Sequence, residues 1–417
     1  MKKLRIIIVM IGAPLPFGGA IARWYYVLLT ELNKRGHEVV SFVTSNSSQD
    51  IEKSQKIFPA DKYNINYFLF PRRKGILKKL KTIMRPYSYS FSDEFKKSLE
   101  KQCEKGFDIL HLEQPWTTYV GEKYLDKAVM NVHHLVSIDQ ENLVFDGNLR
   151  EVSTRFLSFK TEKKLIKKQK YIRACSPRLS KAIKKINPSA EIDFVPVGID
   201  SSLYPFITDS NRIQSTPTLT LIGDMRWYPT YSSAVKLLDK LWPSIKNFVP
   251  EAKLQIVGFS ARERLKKYLD LKDVTIEENV PEIMPYFNRS SVFIYTPEKG
   301  SGMKIKILEA MCFGIPVVTT EEGVEGLPVE DGVHALVSEN DTELINKTVL
   351  LLKDLQLQNK MRYAARKLVE NHCSPQNTVN LIENIYKKIV PQDVGENHYE
   401  KNMDGNRLRR ISRSSHS

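Results

Sequence analysis

The stretch LRIIIVMIGAPLPFGGA, residues 4–20, decides the class of fold. Residues 4–10 form a continuous run rich in β-branched side chains, as in a strand buried on both faces of a parallel sheet. Glycines and prolines break the run at once, with Gly18 and Gly19 at the turn. A helical stripe follows through Ile21, Trp24, Leu28, Leu29 and Leu32, and Gly36 is its natural C-terminal cap. Residues 38–43, EVVSFV, then read as a second strand. This is one βαβ unit with glycines at its first strand-to-helix turn.

The same alternation extends along the chain. Strands are expected at 107–112, 128–133, 170–176 and 192–196, followed by a turn at 198–200. Residues 207–217 are mostly polar and patternless, and are read as a linker. Strands resume at 218–223, 252–258, 274–276, 292–295 and 316–319, with helices at 232–241 and 305–313. The expected class is α/β, with two doubly wound halves. The N-terminal half covers 1–206 and the C-terminal half 218–374. In such sheets ligands sit at the C-terminal ends of strands, so the cleft between the halves is the expected site.

Composition narrows the partners. The 417 residues carry 63 Lys+Arg against 48 Asp+Glu, a net charge of +15. That balance favours anionic ligands or surfaces. A nucleic-acid role is disfavoured, because the basic residues do not interleave with aromatics on a recognisable module. The four cysteines, Cys103, Cys175, Cys312 and Cys373, form no CxxC pair, and read as buried thiols in a reducing compartment. The apolar run at the start is too short for a signal peptide, and no run approaches 18 apolar residues. A cytoplasmic protein is expected. Residues 72–85 read as a basic amphipathic helix able to lie on anionic lipid, which allows peripheral attachment to the cytoplasmic face of a membrane. The polar tail, 391–417, is expected to be disordered.

The richest chemistry lies in GSGMKIKILEAM, residues 300–311. A strand leads into Gly300-Ser301-Gly302, and Met303 and Lys304 lead into a helix. Glycines permit close backbone approach, and the helix start offers free N–H groups to a phosphate or pyrophosphate. Lys304 and Lys306 add positive charge. Glu309, further into the helix, suits hydroxyls such as a ribose diol. The turn is not a P-loop, since Gly-Lys-Ser/Thr is missing. Arg226 follows the first strand of the second half and is expected to face the same cleft, where a guanidinium suits phosphate. Gly18-Gly19 lacks the full dinucleotide fingerprint and reads as an approach loop for a second substrate. His133 and His134 end a strand, so at most one faces a ligand. His111, Glu113 and Glu162 are ambiguous between structural and site roles. No carboxylate cluster suggests a metal.

The second half resembles the group 1 domain of the retaining glycosyltransferase family 4, of GT-B fold. The signals are LIGDMRWYPT (221–230), AKLQIVG (252–258), VPEIMPYFNRSSVFIYTP (280–297), GSGMKIKILEAMCFGIPVVTT (300–320) and EGVEGL (322–327). Softer ones, FDILHLEQP (107–115), VHHLVS (132–137) and VPVGID (195–200), extend the resemblance into the first half. It implies two Rossmann-like domains facing a cleft, and a last helix, 375–390, that crosses back to the first. It also implies retaining, metal-independent transfer from a nucleotide-diphosphate sugar to a glycan or lipid-linked saccharide. Polysaccharide or cell-envelope glycan synthesis is the natural setting, and no cofactor is expected beyond the donor itself. By position, Arg226, Lys304 and Lys306 would bind the donor diphosphate together with backbone of Gly300, Ser301, Gly302 and Met303. Glu309 would hold the ribose, Val280 would bracket the nucleobase, and Gly18 and Gly19 would line the phosphate and acceptor side. His133 would sit near the donor sugar. The family's first motif glutamate is replaced here by Ser301. That departure motivates one alternative, a non-catalytic nucleotide-sugar-binding subunit; a GT-B-like nucleotide-sugar epimerase is another, against which the Leu-Glu-Ala-Met helix argues.

Overall fold

A computed structural model describes residues 2–71, 85–139, 149–208, 216–298 and 300–390. Most of the basic stretch 72–85, most of the linker 207–217 and the tail 391–417 lie outside the described residues.

The first half is a parallel sheet of seven strands. They are β1 (Arg5–Ile11), β2 (Glu38–Ser45), β3 (Asn64–Leu69), β4 (Ile109–Glu113), β5 (Ala128–Val132), β6 (Tyr171–Ala174) and β7 (Glu191–Phe194). Their spatial order is β3-β2-β1-β4-β5-β6-β7. Ile8 pairs with Ser41 on one side and His111 on the other. Ile6 to Met10 are all buried, as expected of a strand covered on both faces. The helix Ala20–Lys34 follows, and Gly36 closes its end at φ +78°.

The second half is a parallel sheet of six strands. They are β8 (Thr218–Ile222), β9 (Lys253–Gly258), β10 (Val274–Glu278), β11 (Val292–Tyr295), β12 (Val317–Thr319) and β13 (Leu336–Val337). Their order is β10-β9-β8-β11-β12-β13. Chain order reverses beside β1 in one sheet and beside β8 in the other. The loops leaving these strand ends are therefore the natural walls of a site. The helix Ile305–Phe313 stands where 305–313 was expected, ended by Gly314 at φ +75°.

Two strands escape a reading by pattern. β3 is only half-buried along its length, and β13 is two residues long. The helix Asp93–Glu104 is amphipathic but too charged to stand out from the sequence. Ile207, read as the first linker residue, is buried instead and donates its N–H to Phe313 O at 3.0 Å.

The last helix, Pro375–Ile389, packs on Ala20–Lys34 and on β5 and β6 of the first sheet. It buries Val379, Ile382, Ile385 and Tyr386 there. Glu383 meets Arg35 at 2.8 Å and His37 at 2.9 Å, and Lys388 pairs with Asp193 at 2.6 Å. Among the described residues, no helix is long and apolar enough to cross a membrane.

Candidate active site between the two sheets

A cavity of about 320 Å³ lies where the loop after β5 meets the loop after β11. Gly19, His133, Asp139, Gly302, Met303 and Lys304 are among its walls. Both sheets contribute, so the cavity exists only while the two halves are together.

The contact between the halves is a direct clasp. Ser301 is wholly buried, and its N–H and hydroxyl both donate to Asp139 Oδ1 at 2.7 Å. Leu135 N–H donates to Ser301 Oγ at 2.7 Å. A Cβ at Gly302 would stand 2.6 Å from the His133 carbonyl oxygen, so only glycine admits this approach. Glu162 supports the clasp from below: it accepts the N–H of Val136 at 2.8 Å and the hydroxyl of Ser137 at 2.9 Å. Glu162 is thus a structural carboxylate for the turn that carries Asp139.

Beneath the cavity lies a buried polar network. Glu113, fully enclosed, accepts Trp24 Nε1–H at 2.8 Å and Asn131 Nδ2–H at 2.7 Å. His133 Nε2 lies 2.9 Å and His111 Nε2 3.1 Å from its two oxygens. Burial alone would raise the Glu113 carboxyl. The hydrogen bonds from His111 and His133 outweigh it and hold the group well below the ordinary carboxylate range. Burial pushes the His133 imidazole down to about 4 against the pull of Glu113, so the ring is neutral at pH 7. Arg173, buried beside Trp24 with its guanidinium 4.1 Å from the ring, donates to Asn131 Oδ1 at 2.8 Å. On the far side, His111 Nδ1 lies 2.6 Å from Tyr386 Oη, which ties the last helix to the network.

The basic residues differ in availability. Lys304 is buried and committed: its ammonium donates to Glu322 Oε1 and to Gly302 O, each at 2.6 Å. Glu322 also accepts Gly300 N–H at 2.9 Å and pairs with Arg178. Lys304 therefore holds the turn rather than standing as a mobile charge. Lys306 is less encumbered. It donates to Thr230 Oγ1 at 2.6 Å and rests 4.2 Å above the Tyr295 ring. Burial pushes its ammonium down to about 7. Arg226, expected to face the cleft, is exposed. It pairs with Asp224 at 2.7 Å and lies 3.8 Å above the Phe259 ring.

Glu309 is buried and meets Arg23, from the first helix, at 2.8 Å. This is a further bond between the halves, and no pattern in the sequence pointed to Arg23. Val280 lies beyond the end of β10 and does not line the cavity. Gly18 lines a neighbouring cavity of about 640 Å³ above the ends of β1 and β2, and Gly19 stands between the two cavities. His134 lines the first cavity, with its ring 6.4 Å from that of Trp227. Of the residues expected at the site, the structure brings Gly19, His133, Gly300, Ser301, Gly302, Met303 and Lys304 to one cavity. It leaves Gly18, Arg226, Val280, Lys306 and Glu309 off its walls. The four cysteines are buried and unbonded to one another. Among the described residues, no group of three His, Cys, Asp or Glu is disposed to hold a metal ion.

Residues 216–354 match the family model described as Glycosyl transferases group 1. Over 398 residues the chain is 24% identical to N-acetyl-alpha-D-glucosaminyl L-malate synthase of Bacillus anthracis, covering 88% of this chain and 94% of that protein. It is 28% identical over 144 residues to an uncharacterized glycosyltransferase of Haemophilus influenzae, covering 32% of this chain and 40% of that protein. Among solved structures, sucrose-phosphate synthase from Thermosynechococcus elongatus superposes with a TM-score of 0.69 at 15% identity, covering 92% of this chain and 98% of that one. HepE of Anabaena, solved with UDP-glucose, superposes with a TM-score of 0.65 at 14% identity, covering 93% and 99%. At such identities the likeness is one of fold.

Proposed function

We propose that this chain, a group 1 glycosyltransferase with the two facing Rossmann-like domains of the GT-B fold, moves a sugar from a nucleotide-diphosphate donor to a saccharide acceptor with retention. The observation that carries the reading is the joint cavity. A glycine turn and helix start from one sheet are clasped against a neutral, carboxylate-backed histidine from the other. Solved proteins of this fold include HepE with UDP-glucose. TarM of S. aureus has been solved with UDP and alpha-GlcNAc-glycerol.

In this reading the diphosphate lies against the Gly300–Met303 backbone and the free N–H groups at the start of helix Ile305–Phe313. Lys306 supplies the nearby charge, and binding a diphosphate favours its protonated form. Arg226 is an exposed side chain that leaves Asp224 to reach the phosphates. Lys304 acts by holding the turn through Glu322. Glu309 takes the ribose hydroxyls in exchange for Arg23, and Val280 brackets the base. The leaving diphosphate is stabilised by these donors, without a metal or a cofactor. A neutral His133, held by Glu113, accepts or orients a hydroxyl near the sugar. It is too weak a base at pH 7 to carry a proton through the reaction alone. Closure of the halves excludes water from the activated sugar.

The acceptor enters on the Gly18-Gly19 side, over the cavity above β1 and β2. A lipid-linked saccharide is the reading that the basic stretch 72–85 supports, in polysaccharide or cell-envelope glycan synthesis at the cytoplasmic face of a membrane. Sedimentation with acidic against neutral liposomes tests that part, and equal binding refutes it.

A thermal-shift panel of UDP-, GDP-, ADP- and TDP-sugars on wild type and Glu309→Ala tests the donor site. A ligand at 100 times its Kd stabilises by about 2.7 kcal/mol. One nucleotide class that shifts wild type and not the variant supports the reading. No shift with any donor refutes it.

A further inference from the structure

We infer that Asp139 is a specificity-determining residue for the transferred sugar: the oxygen it does not give to Ser301 accepts a hydroxyl of that sugar. The inference rests on the proposed donor site and adds a residue that no motif in the chain marks.

Asp139 lines the joint cavity and is 6% exposed. Its Oδ1 is occupied by both donors of Ser301, at 2.7 Å each. Its Oδ2 is buried and has no hydrogen-bond partner among the described residues. A buried carboxylate oxygen without a donor is costly, and here it belongs to a residue that lines the cavity. The described neighbouring groups do not supply a donor. Ser301 gives both its hydrogens to Oδ1, and Lys304 donates to Glu322 and Gly302 O. A ligand can bring the hydrogen, and a sugar hydroxyl has one. A carboxylate oxygen accepts and cannot donate, so it selects a free hydroxyl over a hydrogen, an ether or a second carboxylate at that ring position.

The geometry also couples recognition to closure. Asp139 belongs to the first half, yet its orientation is set by Ser301 of the second. Opening the halves releases the carboxylate, so sugar choice is enforced only in the closed state.

The test compares kcat/KM for the active nucleotide-sugar with its monodeoxy analogues, on wild type and on Asp139→Asn. The asparagine keeps an Oδ1 acceptor for Ser301 and replaces the receptive oxygen with a donor. Wild type is expected to disfavour one analogue by about 10- to 100-fold, the range of a hydrogen bond to a charged group. That penalty is expected to collapse in Asp139→Asn, while binding of the nucleoside diphosphate alone stays unchanged. Ser301→Ala, which frees Asp139 to turn away, is expected to shrink the same penalty, and it serves if the asparagine variant does not fold. Equal deoxy penalties in wild type and variants overturn the inference. So does an equal weakening of nucleotide and nucleotide-sugar, which marks a merely structural residue. A wild type that binds no nucleotide-sugar at all overturns the donor-site reading and the inference with it.

Discussion

Gly302→Ala tests whether the clasp between the halves controls the reaction. The added Cβ would stand 2.6 Å from the His133 carbonyl oxygen, a backbone atom with little room to move. An ordinary carbon–oxygen contact is about 3.3 Å, so the turn must retreat by about 0.7 Å. The neighbouring bonds of Ser301 to Asp139 and Leu135, now 2.7 Å, would then lengthen to about 3.4 Å. Three hydrogen bonds weakened by up to about 1 kcal/mol each give a loss of roughly 2–3 kcal/mol in the closed state. Overpacking costs of about 1–3 kcal/mol fall in the same range. A misplacement of this size costs about 100-fold in turnover when it separates reacting groups. The assay is steady-state transfer, with small-angle scattering to read the separation of the halves. The variant is expected to lose about 100-fold in kcat/KM and to show a larger radius of gyration. Wild-type turnover with an unchanged scattering profile would refute the role assigned to the clasp.

Other predictions rest on charge and burial. The folded chain holds His133 at about 4, against an ordinary value of 6.5. The unfolded chain therefore binds more protons between these values, so this residue's contribution to stability is complete above about pH 6.5 and is lost as pH falls toward 4. Denaturant melts across pH 4–7 on wild type and His133→Phe should differ in slope, and identical slopes sink the assignment. Lys306, pushed down to about 7, should take up a proton when a diphosphate binds near pH 8. Calorimetry in two buffers of different ionisation enthalpy reads this uptake, and Lys306→Met should abolish it. Arg23→Ala leaves Glu309 buried without its 2.8 Å partner, which should cost about 3 kcal/mol, read as a lower thermal midpoint. Tyr386→Phe removes the 2.6 Å bond to His111 and should lower the denaturation midpoint by the equivalent of about 1–2 kcal/mol.

The residues divide by how local their causes are. Residues 4–10 declare a buried strand because β-branching and apolar continuity act on the nearest neighbours, and β1 is that strand. The segment 305–313 declares a helix by the same logic, and the glycines before it mark a turn by their missing Cβ. The strand end carried His133 and His134 to a crevice, where both line the cavity although alternation along a strand allowed only one; the resemblance, not the pattern, singled out His133. β3 and β13 were not legible, since one is half-buried along its length and the other too short for a period to show.

Charged residues were the least legible of all. Sequence establishes that Lys304, Lys306, Arg226 and Glu309 are present beside the right elements. It cannot say which of them is already paired. Glu322 claims Lys304, Asp224 claims Arg226, and Arg23 claims Glu309 across the cleft. Glu113 read as ambiguous, because its place beneath His133 depends on two strands lying side by side. Asp139 and Ser301 meet 162 residues apart in sequence. Strand, helix and turn follow from short-range sterics and periodicity, which a linear reading contains. Pairing, protonation and the shape of the cavity follow from long-range contacts and from the dielectric that burial creates, and these arise only when the two sheets close on each other.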